Sequence, residues 1–79
     1  MSDINYIISQ YIYRNWISKS KSQRAFAKDN DVEESIVRKI KKNALKTAET
    51  EYNIPVKTLK KICVMQNITL EEFFRLIEQ

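Results

Sequence analysis

The residue types able to do chemistry are few in this chain, and they point to ionic and hydrogen-bonding recognition. Histidine and glycine are absent, and Cys63 is the only cysteine. A zinc site would therefore lack its usual ligands, and no nucleophile stands beside an evident base. Loops that cradle phosphate through positive-φ glycines are disfavoured as well. An enzyme, a metal, a cofactor and a small-molecule ligand are thus all unexpected. What remains is the basic run Arg38, Lys39, Lys41 and Lys42, preceded by Glu34 and Ser35 and followed by Asn43. An arginine can bond guanine bidentately, and lysines neutralise phosphates. Thirteen of the fourteen basic residues lie between Arg14 and Lys61, with only six of the ten acids, so a basic middle separates acidic ends. Such a middle suits a polyanion, although lysines that merely solvate a helical protein would give the same count.

The elements that must position these residues follow from periodicity. A chain of 79 residues, 43% hydrophobic and 30% charged, suits one globular domain over 1–79 with a modest core. Without glycine and with a single proline, tight hairpins give way to helices joined by short turns. Ile4, Ile7, Ile8, Tyr11 and Ile12 recur at helical spacing, predicting a first helix from Ile4 to Ile17. Ser22 is placed to cap a second helix, Gln23 to Asp29, with Phe26 and Ala27 inward. Asn30-Asp31 predicts a sharp turn, because both types tolerate the left-handed backbone. Glu33 to Lys42 forms the third helix, with Ile36, Val37 and Ile40 inward and a mostly basic outer face. The stretch 43–53 has no strong period and is read as loop, although Ala44, Leu45 and Ala48 could extend the third helix or form a separate short turn. Pro55 opens a fourth helix with Leu59, Ile62, Cys63 and Gln66 on one stripe, ending near Gln66-Asn67. Thr69 and Glu72 have capping-box spacing for a fifth helix, whose buried face is Leu70, Phe73, Phe74 and Ile77. No apolar stretch reaches the ~18 residues of a membrane span, and Asp3 interrupts any signal-like start. With one cysteine and no disulfide partner, a cytoplasmic protein is expected.

From Ser22 to Ile40 the sequence resembles the phage-repressor and Cro-like (XRE-type) helix-turn-helix family. The likeness is carried by Ser22-Gln23, Ala27, Val32, Ser35, Val37 and Ile40, with Asp31 where the family commonly has glycine. It continues through Pro55, Thr58-Leu59, Ile62, Ile68, Leu70 and Phe73-Phe74, and so covers about three quarters of the chain. The resemblance implies an all-α, five-helix bundle of the lambda-repressor-like type with its motif at about 22–42. It further implies a transcriptional regulator, more often a repressor, binding double-stranded DNA as a homodimer in a bacterial or phage setting.

Each residue has a role to be tested against a plainer one. Arg38 and Lys39 are expected to contact bases or phosphates rather than stand as ordinary solvated charges. Ser35 is either a helix-start residue or a base contact, and Gln23 either a cap or a phosphate or adenine contact. Glu33 and Glu34 favour the helix dipole, although Glu34 could accept from a cytosine amino group. Lys19, Lys21, Ser22, Lys41, Lys42 and Asn43 are placed for phosphates. Cys63 reads as a buried structural thiol, and Trp16 and the tyrosines as core or rim packing. Phe73 and Phe74 point about 100° apart on one helix, so a narrow stripe does not bury both, and the pair is expected to support dimerisation. The competing reading is a protein-binding adaptor or antitoxin-like module on the same fold.

Overall fold

The computed structural model describes residues 4–47 and 52–78, so Ala48 and the acids Glu49 and Glu51 in the expected loop lie outside the described residues. The regular elements among the described residues are all helices, without strands. Helix α1, Ile4–Ile12, turns Ile8, Ser9 and Ile12 inward, whereas Ile4 is exposed rather than part of the buried face. It runs directly into a π-helical turn, Tyr13–Ile17, where the Ser18 N–H donates to the Tyr13 carbonyl five residues back at 2.9 Å. A regular helix would carry Ile17 about 140° away from Ile12. The wider π turn brings it back to the core side, and Ile17 is buried. Carbonyls along this segment accept from side chains: Tyr11 from Asn15 Nδ2 at 3.0 Å, Arg14 from Ser18 Oγ at 2.7 Å and Trp16 from Ser20 Oγ at 3.2 Å.

Helix α2, Gln23–Asp29, begins where Ser22 Oγ accepts the Ala25 N–H at 3.0 Å. Two residues beyond its end stands Asp31, whose φ of 55° is left-handed as the Asn30-Asp31 pair predicts. There the Asp31 and Val32 N–H groups return to the Lys28 and Ala27 carbonyls, closing the helix end. The same closure recurs twice: Lys46 (φ 56°) and Thr47 bond back to Asn43 and Lys42, and Asn67 (φ 61°) and Ile68 bond back to Val64 and Cys63. Among the described residues of this glycine-free chain, three left-handed positions are thus filled by Asp, Lys and Asn, each against a steric cost that glycine would not have.

Helix α3 spans Glu34–Ala44, two residues past the expected end, so Asn43 and Ala44 belong to the helix and not to a loop. Helix α4, Val56–Met65, follows Pro55, and helix α5, Leu70–Ile77, starts with the expected capping box. In that box the Glu72 N–H donates to Thr69 Oγ1 at 3.0 Å and the Thr69 N–H to Glu72 Oε1 at 3.1 Å. Helix α1 packs chiefly on α3, α2 packs on α3, and α5 touches both α4 and α1. The core joins Ile8, Ile12 and Ile17 to Phe26, Val37, Ile40, Ile62 and Phe73. Phe73 is fully buried, edge-on to Tyr11 at 5.5 Å and 5.6 Å from Trp16, which fixes α5 against the π turn. The radius of gyration, 11.6 Å, is about what a compact domain of this length has. No helix among the described residues is long and apolar enough to cross a membrane.

Candidate functional site

The outer face of α3 is set by what the helix buries. Val37, Ile40 and Ala44 lie inside, and the 100° step between residues then turns Ser35, Arg38, Lys39 and Lys42 to the opposite side. Arg38, Lys39 and Lys42 are exposed, Ser35 and Lys41 are half-buried, and Glu34 is exposed in the first turn. The Ser35 hydroxyl donates to Glu33 Oε2 at 3.3 Å, so both acids at this helix start sit where the dipole favours negative charge.

Residue 52 joins this face through Asn43. Asn43 Nδ2 donates to the Tyr52 carbonyl at 2.7 Å, and the Tyr52 N–H donates to Asn43 Oδ1 at 3.1 Å. Asn43 also reaches Ser9 Oγ at 3.4 Å and is only 8% exposed. The expectation that Asn43 meets a phosphate is corrected here, since both ends of its amide are already used inside the protein. Lys39 Nζ lies 5.3 Å from the centre of the Tyr52 ring, a cation–π contact that orients the ammonium. Burial, with a smaller effect from the Glu33 carboxylate, pushes the Tyr52 phenol pKa up and keeps its proton available for donation.

The N-terminal side of α2 adds further groups. Lys19, Lys21 and Ser22 are exposed and Gln23 is half-buried at the first helical position. Ser22 is a cap, and its hydroxyl proton remains a donor because the capping bond uses only an oxygen lone pair. Arg24, exposed next to Gln23, is a basic residue that sequence reasoning passed over. Tyr52 was passed over as a neighbour of α3, because its link to Asn43 spans a stretch without periodic signal. The turn acid Asp31 is partly offset by Lys61, whose Nζ is 3.6 Å from Asp31 Oδ2.

The paired phenylalanines separate. Phe73 is core, so its expected place in a dimer contact is corrected, while Phe74 is 38% exposed. Cys63 is buried, and burial pushes its thiol up to about 11, as suits a structural residue. Among the described residues, no three His, Cys, Asp or Glu side chains are grouped to hold a metal ion. Chemically the face built on α3 offers cationic donors with neutral hydroxyls and amides beside them, a set suited to phosphates and base edges. No family model, curated protein or solved structure matches the chain.

Proposed function

We propose that this chain is a sequence-specific binder of double-stranded DNA, a small transcriptional regulator of the repressor kind. In this reading α2 and α3 form a helix-turn-helix unit of the lambda-repressor-like type, and residues 34–42 enter the major groove. One observation carries it: α3 is anchored by Val37 and Ile40 and presents Arg38, Lys39 and Lys42 to solvent beyond a left-handed turn at Asp31. Arg38 reads a guanine edge, with Ser35, Lys39, Glu34 and Gln23 as further base contacts. Lys19, Lys21, Ser22, Lys41 and Lys42 take phosphates, which set register without reading sequence. A homodimer formed through α5, with Phe74 at the contact, brings two copies of α3 to a palindromic site.

The test is selection from random duplexes, followed by titration of the selected site at several salt concentrations. Enrichment of a defined motif is expected, and if about five phosphates are neutralised, log K falls with log salt at a slope of roughly −4 to −5. No enrichment together with a slope near zero would remove the reading. A second reading, a protein-binding adaptor on the same fold, draws support from the outer face of α4, where apolar side chains stand exposed among lysines.

A further inference from the structure

Helix α4 carries a surface that the DNA reading does not use. Lys57, Lys61 and Val64 follow one another at i, i+4 and i+7 and form a single stripe, with Lys60 on one flank and Met65 on the other. All five are exposed, Val64 at 57% and Met65 at 53%. Together with Asn30 and Asp31 they line a groove of about 460 Å³ between α4 and the turn after α2. None of these residues belongs to the outward set of α3. Three lysines stand against one acid, and Lys61 is tied to that acid, Asp31, at 3.6 Å, which leaves Lys57 and Lys60 to set the sign of the groove.

We propose that this face docks an acidic, amphipathic helical segment of a partner protein. The occupant follows from complementarity. Two adjacent apolar side chains, more than half exposed at the C-terminal end of α4, gain from burial against apolar groups. The lysines one and two turns before them call for carboxylates on the flank of the same ligand. A phosphate backbone would satisfy the lysines and leave Val64 and Met65 without a counterpart, so a protein segment fits better than nucleic acid. The stripe extends over about 10 Å, two turns of helix, the length over which a docking helix presents anchors at i, i+3, i+4 and i+7.

The test uses the full chain labelled with ¹⁵N and a synthetic 18-residue helical peptide with leucines at i, i+3, i+4 and i+7 and glutamates on both flanks. Titration is expected to shift the amides of Lys57 to Met65 and of Asp31, with a dissociation constant in the micromolar range. Lys57→Glu with Lys60→Glu, both exposed, should weaken binding at least tenfold, and Val64→Ser severalfold, with the amide spectrum of the core unchanged. A peptide with serines for leucines should bind at least tenfold more weakly. Shifts confined to residues 35–42, equal binding of the serine peptide, or no shift at millimolar peptide would each overturn the proposal. So would a duplex DNA titration that shifts α4 in place of α3, which would make the groove a phosphate surface. Because the DNA reading is tested with duplexes and α3, it can fail while this proposal stands, and the reverse.

Discussion

Asn43 does at the residue scale what a cap or a disulfide does elsewhere: it binds both backbone groups of Tyr52 and holds a distant segment to α3. Asn43→Ala should cost about 1–3 kcal/mol, because it strands polar groups of Tyr52 and Ser9 inside the fold. Urea unfolding measures this, and an unchanged midpoint would mean that water replaces the amide without loss. Asp31 is the opposite case, a residue whose backbone costs more than its side chain returns. Its ion pair with Lys61 is exposed, 93% on the acid side, and such pairs contribute little. Asp31→Gly should therefore stabilise the protein by about 0.5–1 kcal/mol, since glycine adopts φ 55° without steric conflict. A loss of stability would show that the Lys61 pair outweighs the backbone. The turn at Asp31 was legible because Asn and Asp favour such positions. The role of Asn43 was not, since its partner lies nine residues on in a stretch with no period, and a polar residue after four basic ones reads as surface.

At the scale of elements, local signals read correctly and tertiary ones did not. Ser22 and the Thr69–Glu72 box announced the starts of α2 and α5 because a capping side chain acts on a backbone N–H two or three residues away. Fixed positions on α3 were legible too, as Val37 and Ile40 fix its inner face. The π turn at Tyr13–Ile17 left no such mark, because it adds one residue to a turn and changes no residue type. The end of α3 lies beyond the expected one partly for a tertiary reason: Asn43, a poor helix former, is held in the helix by burial and by its bonds to Tyr52, while Ala44 after it is a good helix former whose side chain is also buried. The choice between Phe73 and Phe74 also needed the fold, since only the packing of Tyr11 and Trp16 decides which ring goes inside. The fit of α2 to α3 is open to a direct test at Ala27, which is buried with its carbonyl bonded to Val32 N–H at 3.0 Å. Ala27→Leu should overfill this site and cost about 1–3 kcal/mol. A melting temperature equal to that of the parent protein would show that the two helices have room to spare.

For the whole molecule, the proposed reading joins two faces with different duties: α3 for DNA and the exposed side of α5 for a second copy. Phe74→Ser should raise the dimer dissociation constant at least tenfold while leaving the helical content intact, because Phe73 beside it supplies the core contact. Sedimentation at tens of micromolar checks this, and an unchanged association would place the dimer contact elsewhere. In that reading the charge of +4 supplies general affinity for DNA but no choice among sequences. On the same reading choice comes from side chains that reach base edges, foremost Arg38, exposed in the middle of α3 directly after the buried Val37. Lys42, one turn further on and exposed, is placed for the groove wall. The most direct measurement is the binding of Arg38→Ala and Lys42→Ala to the selected duplex and to random DNA under one salt condition. Arg38→Ala should lose about 1–3 kcal/mol on the selected site and relax the preference at one or two base pairs, while Lys42→Ala weakens both duplexes nearly equally. A uniform loss for Arg38→Ala with the base preference intact would contradict the account, making Arg38 a phosphate contact and moving the reading face elsewhere.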